Sequence, residues 1–578
     1  MKINHLWMPL AVLLLTAGAL TLFWYGKTAA GQTIYETAES IDYSEFFDYD
    51  EIVTMYMTVS RGSSDELTHL SWDEVNSVPL SYYSENGMDV QYGSEAIIQV
   101  GDENGINQKS FGFGINIPNA VVTLRGENAS KKPQKSYRIK FKTFADSWND
   151  QNILYLNKYI EDGVRYRTAL AQHIAGELAG LKALDTTFVH LYVLDKTIEG
   201  QTAFVDYGLY TQTERPDTDW IQRVGLDVNG EIYKAENFDF TRHAEAIKMS
   251  DDPNFNLDAF ETYIENKGDT DDNTDLIAML QAVNAPDADI KTVLTEYFDE
   301  ENYYSFLALQ ILLGNSPEAT RDYLLYSPSD SSKFFFFMWD ADHILYNAEE
   351  AILNRKYEIR RESIELSTGV LPFYKNKLHK MVLTDPECLQ KLTARIDELT
   401  DPVYEIIRKQ GAVYAEIVKP IAFMQPDVIN MPLTEENYDF ISSELNNEVI
   451  ENAKRYKDEI KKPTPFNMTA ITAGDSVKFD WDDAVAVSGE TVTYTVNIAR
   501  NVSGTETVIS QEGIGISELT LNILPPGQYF INIKASDKSG NNRELNSYYE
   551  DIYDARHKGL LCFYINSDGT ASWQGLNK

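Results

Sequence analysis

The pentapeptide Met338-Trp339-Asp340-Ala341-Asp342 sets two carboxylates two residues apart, directly after an apolar run. On an extended backbone, residues i and i+2 face the same side, so Asp340 and Asp342 can present paired oxygens to a divalent cation such as Mg²⁺. Burying a carboxylate beside aromatic residues is costly unless something pairs with it, which favours the cation over a plain polar turn. A second group is cationic. The segment Thr123-Leu124-Arg125-Gly126 through Lys131-Lys132-Pro133-Gln134-Lys135-Ser136-Tyr137-Arg138-Ile139-Lys140 reads as strand, glycine-bearing turn, strand. Lys135, Arg138 and Lys140 bring dense positive charge, and with the turn's N–H groups they can hold phosphate oxygens. The same residues also read as a basic hairpin that balances acidic surface. Third, Glu214 closes the strand-like run Tyr207-Gly208-Leu209-Tyr210-Thr211-Gln212-Thr213. It can either orient a hairpin lysine by ion pairing or stand as a surface carboxylate.

These groups must be carried by elements of different kinds. Alternating apolar and polar residues over Ile52–Ser60, and short runs such as Ala96–Val100 and Val121–Leu124, predict strands. The spacing switches to the helical period over Tyr166–Leu181 and returns to a strand over Phe188–Leu194. Beyond Asn254 helical patterns dominate: Leu257–Asn266, Asp275–Ala285, Ile290–Phe298 and Tyr303–Leu313. The aromatic run Lys333–Trp339 predicts a strand buried on both faces. Helical patterns resume over Pro372–Leu383, Glu387–Leu399, Val403–Val418 and Tyr438–Ile460. Lys461-Lys462-Pro463-Thr464-Pro465 is the clearest domain boundary. After it, Val477–Trp481, Thr491–Ala499, Leu519–Leu521 and Gln528–Ala535 predict the strands of a small β-sandwich.

The chain of 578 residues carries 50 Lys+Arg against 89 Asp+Glu, a formal charge of −39. Such a charge repels nucleic-acid phosphates and anionic lipid headgroups, so nucleic acid is not an expected partner. With only Cys388 and Cys562, no disulfide framework holds the fold. The uncharged stretch Trp7–Tyr25, bracketed by Lys2 and Lys27, is long enough to cross a bilayer. Phe23-Trp24-Tyr25 suits an interfacial anchor, whereas Thr28-Ala29-Ala30 offers a weaker cleavage site for a secreted form. Positive charge stays on the N-terminal side, which places the bulk of the chain outside the cytoplasm. The expected organisation is a membrane segment over 1–27, an acidic tether over 28–50, a main domain over 51–462 and the sandwich with its tail over 463–578.

Several blocks, in order, resemble the spore-coat protein H (CotH) kinase family. They are Arg125-Gly126 with Ser130 and Lys135-Ser136-Tyr137; Asp162 through Arg167; Tyr207-Gly208-Leu209-Tyr210 with Glu214; Leu313-Gly314-Asn315 through Tyr326; and Trp339-Asp340-Ala341-Asp342. The resemblance runs from about Glu51 to Ile460. It implies an α+β, two-lobed, atypical protein-kinase-like fold with a strand-rich first lobe and a helix-rich second, and ATP-dependent phosphorylation of serine on a surface or secreted protein. Carried over residue by residue, Arg125, Ser130, Lys135 and Arg138 would grip the ATP phosphates, Glu214 would partner Lys135, and Asp340 with Asp342 would hold Mg²⁺. One departure is serious: Pro317 stands where the family has the Asp of a catalytic base, and Asp322 replaces an Asn. Glu318 and Asp322 are the remaining candidates for that role. The run Phe479-Asp480-Trp481, Thr493-Tyr494-Thr495-Val496 and Gly527-Gln528-Tyr529-Phe530 resembles a fibronectin type III module. A non-enzymatic surface adhesin or scaffold is therefore the competing expectation.

Overall fold

The computed structural model describes residues 51–573, apart from 64–66, 86–90, 109, 146, 179, 269–271, 317–318, 356–368 and 553–554. The membrane segment and tether expected over 1–50 lie outside the described residues, as do Pro317 and Glu318. Among the described residues no helix is long and apolar enough to cross a membrane.

The first part is a sheet of eight strands: β1 (Ile52–Ser60), β2 (Ser94–Asp102), β3 (Gly105–Ile106), β4 (Ala120–Arg125), β5 (Ser136–Phe141), β6 (Ile153–Asn157), β7 (Thr186–Asp195) and β8 (Val205–Glu214). The order is β1-β7-β8-β6-β5-β4-β2-β3, and a further pairing of β1 with β2 closes the sheet into a barrel that leaves β3 outside the ring. Closure leaves one parallel contact, β1 with β7, among antiparallel ones. The alternation of each strand fills the interior with Met55, Met57, Ile98, Val122, Ile139, Leu154, Leu156, Leu191 and Tyr210. The opposite parity turns Arg125, Arg138, Tyr155 and Asn157 to the barrel's outer face.

A second sheet has the order β10-β9-β11-β12, from β9 (Glu231–Ala235), β10 (Ile264–Asn266), β11 (Tyr323–Ser327) and β12 (Phe335–Met338). Around it pack α1 (Arg167–Glu177), α2 (Glu300–Leu313), α3 (Asn347–Arg355), α4 (Pro386–Ala422) and α5 (Glu435–Glu459). Two expected elements differ. The helical pattern over Leu257–Asn266 splits into a helix Leu257–Glu261 and β10, because Ile264–Asn266 pairs with the free edge of β9. The two helices expected on either side of Pro402 are one helix of 37 residues. Pro402 and Glu398, whose carbonyl loses its partner, both lie on the exposed face, where the freed carbonyl is open to solvent.

Beyond Pro463 the described elements are strands, arranged mainly as a three-stranded and a six-stranded sheet around one core that includes Phe479, Trp481, Tyr494, Tyr529 and Phe563. Arg543 ties this region to the end of α5, donating to Pro463 O (2.5 Å), Glu459 Oε2 (2.8 Å) and Glu459 O (3.1 Å). Cys388 and Cys562 are both free.

Arg167, fully buried at the start of α1, binds Asp162 Oδ1 (2.5 Å) and Glu349 Oε2 of α3 (2.8 Å), and donates to Leu345 O (3.2 Å). Burial disfavours its charge, but Glu349 and Asp162 raise its affinity for the proton above the ordinary arginine value. Replacing Arg167 by Met strands two buried carboxylates. It should lower unfolding free energy by about 3–5 kcal/mol, read by urea denaturation followed by circular dichroism.

Candidate functional site

The strand β12 is the edge of its sheet, with β11 on one side only. Two buried amides satisfy its open edge. Asn302 of α2 acts like a neighbouring strand: its Oδ1 accepts from Phe336 N (2.6 Å) and its Nδ2 donates to Phe336 O (3.0 Å). Gln172 of α1 donates to Met338 O (3.3 Å) and Trp339 O (3.0 Å), while its Oε1 accepts from Leu184 N (2.9 Å). The backbone is therefore fixed up to the residue before Asp340, and Arg167 fixes it again at Leu345. Neither amide was identifiable from sequence, because a glutamine or asparagine within an apolar helical pattern carries no sign of the strand it will meet.

At that anchored end, carboxylates converge. Asp322 precedes β11 in the left-handed region (φ 61°), with its N–H donated to Ala235 O (3.0 Å). The register Tyr323↔Met338 sets it beside the Trp339-Asp340 turn. Burial first, then the nearby Asp340, pushes the Asp322 carboxyl up to about 6, against the pull of Lys234 and Arg321. Asp342 is raised well above the usual range by burial, Asp340, Asp162, Asp322 and Glu161. Asp340 Oδ1 is buried without a hydrogen-bond partner. An orphaned carboxylate oxygen among repelling carboxyls is the chemistry that a cation relieves. No group of three or more His, Cys, Asp or Glu among the described residues is arranged to hold a metal alone. A magnesium ion takes part of its shell from water and phosphate oxygens, so one or two carboxylates such as Asp340 and Asp342 are the donor type it would use.

The barrel contributes a cation to the same place. The Arg125 guanidinium lies 4.2 Å from the Tyr155 ring centre and 5.7 Å from that of Trp339, and donates to Asn157 Oδ1. Tyr155 and Trp339 meet edge to face at 6.3 Å. Burial, then Asp340, raises the Tyr159 phenol well above its ordinary value, and Arg125 opposes that rise.

The other sequence candidates stand elsewhere or are already engaged. Ser130 Oγ donates to Glu127 O (2.7 Å) and accepts from Leu80 N (3.1 Å), so its hydroxyl shapes the turn. Lys135 Nζ donates to Ser130 O (2.8 Å). Burial lowers both Lys135 and Arg138, and the charges near Arg138 are Arg215 and Asp217. Glu214 is buried and bound by Arg223, whose Nε is 2.8 Å from Oε1. The expected pairing of Glu214 with a hairpin lysine is corrected: Arg223 lies closer along the chain and also reaches Asp185 (3.1 Å). Lys234, at the end of β9, pairs with Glu236 and faces Asp322.

Residues 122–462, more than half of the chain, match the family described as "CotH kinase protein". No curated protein matches the chain. Among solved structures it is similar to the Helicobacter pylori proinflammatory kinase CtkA, at 14% identity and TM-score 0.27, covering 56% of this chain and 94% of that one. It is also similar to the Shewanella oneidensis MR-1 toxin–antitoxin complex of HipA, HipB and operator DNA, at 11% identity and TM-score 0.23, covering 62% and 69%.

Burial, ahead of every other influence, raises the Glu214 carboxyl above its ordinary 4.5, with Asp185 adding to the rise and Arg223 opposing it. The native state therefore holds a proton that the unfolded chain has released, and stability falls as pH rises from 4.5 until Glu214 ionises. Glu214→Gln should flatten that decline, measured as unfolding free energy in urea at half-unit pH steps from 4.5 to 8.

Proposed function

The chain belongs to the CotH kinase protein family, and on that premise we propose that it binds Mg²⁺-ATP outside the cytoplasm and transfers phosphate to serine on a surface or secreted protein. The observation that carries this reading is the meeting of Arg125 with the Trp339-Asp340 turn, where Asp340 Oδ1 is buried and has no donor. A magnesium ion supplied with the nucleotide would neutralise phosphate charge there. Asp340 and Asp342 would hold that ion, and Arg125 would bind phosphate oxygens from the barrel side. Lys135 supplies a further positive field from the hairpin turn. Asp322, with a carboxyl at about 6, is ionised at neutral pH and is the described residue suited to accept the serine proton. Tyr155 and Trp339 wall the site on its apolar side. Trp7–Tyr25 would anchor the protein in the membrane, and the C-terminal sheets, read as a fibronectin type III-like module, would face the partner.

One sequence observation favours a second reading. Pro317 stands where the family has its catalytic Asp, and proline can neither orient a hydroxyl nor accept its proton. On that reading the protein keeps nucleotide binding, has lost transfer, and acts as a surface scaffold through its C-terminal module.

Titration calorimetry of the full chain with ATP separates these from a protein without nucleotide chemistry. Both readings predict Mg²⁺-dependent binding that Asp340→Ala weakens by about 10–100-fold. Absence of binding, or binding indifferent to Mg²⁺, contradicts both. Transfer of labelled phosphate to protein supports the first reading, and its absence with binding intact supports the second.

A further inference from the structure

Lys158 and Asp427 form an ion pair sealed from water: Nζ and Oδ1 are 2.6 Å apart and the side chains are 1% and 2% exposed. Lys158 follows β6 directly, and Asp427 opens the short 3-10 turn Asp427–Asn430 between α4 and α5. The pair therefore joins the barrel to the helical region. Each partner is held by more than the other. Lys158 Nζ donates to Tyr207 O (2.7 Å) and lies 4.3 Å from the Tyr210 ring centre. Asp427 accepts from Leu209 N (2.6 Å) at Oδ2 and from Gln134 Nε2 (3.3 Å) at Oδ1. Between them Gly208 adopts φ 77°, and any side chain there would run into the Asp427 carboxylate. The block Tyr207-Gly208-Leu209-Tyr210 thus forms the seat of this pair.

A buried ion pair gains little stability over an apolar pair of the same volume, but its directionality fixes geometry. What it fixes here is the barrel face that carries Arg125. Gln134, in the turn between β4 and β5, binds Asp427 with its amide nitrogen and accepts from Asn430 Nδ2 (3.0 Å) with its oxygen. Lys158 N donates to Ser136 Oγ (2.9 Å), and Ser136 is the strand partner of Arg125. Asn157, adjacent to Lys158, receives the Arg125 guanidinium.

We infer that Lys158 and Asp427 are positioning residues, a clasp that sets Arg125 over Trp339, the residue before Asp340. The inference rests on the reading that nucleotide phosphates lie between Arg125 and Asp340. A clasp that acts through Arg125 has an energetic signature that general loss of structure lacks. Once Arg125 is gone, breaking the clasp costs nothing further in affinity.

The test is Mg²⁺-ATP calorimetry on four full-length proteins: wild type, Lys158→Met with Asp427→Asn, Arg125→Ala, and all three substitutions together. Methionine replaces the buried stem, and asparagine keeps the acceptor for Leu209 N. The clasp variant should bind about tenfold more weakly than wild type, and the triple variant no more weakly than Arg125→Ala alone. Wild-type affinity in the clasp variant, or losses that add in the triple variant, overturn the inference. If the paired replacement does not fold, Lys158→Arg keeps the charge and moves the donor, and the same cycle with Arg125→Ala decides in the same way. A wild type that binds no nucleotide overturns the reading beneath it, and this inference with it.

Discussion

Asp322, Asp340 and Asp342 share one partly buried space at the ends of β11 and β12, and their mutual repulsion is the constraint on which the rest of the site depends. Such a group is tolerable only where the backbone cannot relax away from it. The fold meets that condition on every side. Asn302 and Gln172 take the place of a missing strand along β12, and Arg167 pins the chain beyond the turn. These three residues are buried and polar, and each bonds main-chain groups or carboxylates rather than solvent. They convert the apolar strength of the helical core into a fixed place for Asp340.

The barrel answers with one cation carried across the gap. Arg125 is held against the Tyr155 ring, near the Trp339 ring, and by Asn157, an arrangement that orients a planar guanidinium better than a free lysine could be oriented. The Lys135 ammonium, by contrast, is turned to the Ser130 carbonyl. The Lys158–Asp427 pair lies behind this face, where the hairpin turn, β6, β8 and the segment after α4 meet.

Much of the strand and helix pattern was legible because it is written in local periodicity. The aromatic run before Trp339 is a strand, and the pattern Tyr303–Leu313 lies within α2. The crowding of Asp340 and Asp342 with other acids is foreshadowed in the sequence, where two acids follow directly on an apolar strand. What escaped depended on distant pairing. The closure of β1 on β2 has no local signal, and Ile264–Asn266 followed a helical period until β9 offered it an edge. Glu214 reads from sequence either as a partner of a hairpin lysine or as a surface carboxylate, and it is neither, because the helix after β8 brings Arg223 to it in a buried setting. Lys158, Gln172 and Asn302 sit in stretches of unremarkable composition, and their importance comes from the elements that fold against them.

In the proposed function, Arg125 and the Asp340 turn enclose the phosphates of a nucleotide. The most direct test of this is a crystal structure of the protein grown with Mg²⁺ and a non-hydrolysable ATP analogue. Metal density at Asp340 Oδ1 and a phosphate oxygen on the Arg125 guanidinium are the expected result. Nucleotide bound on another surface, with Asp340 still unpartnered, would contradict it.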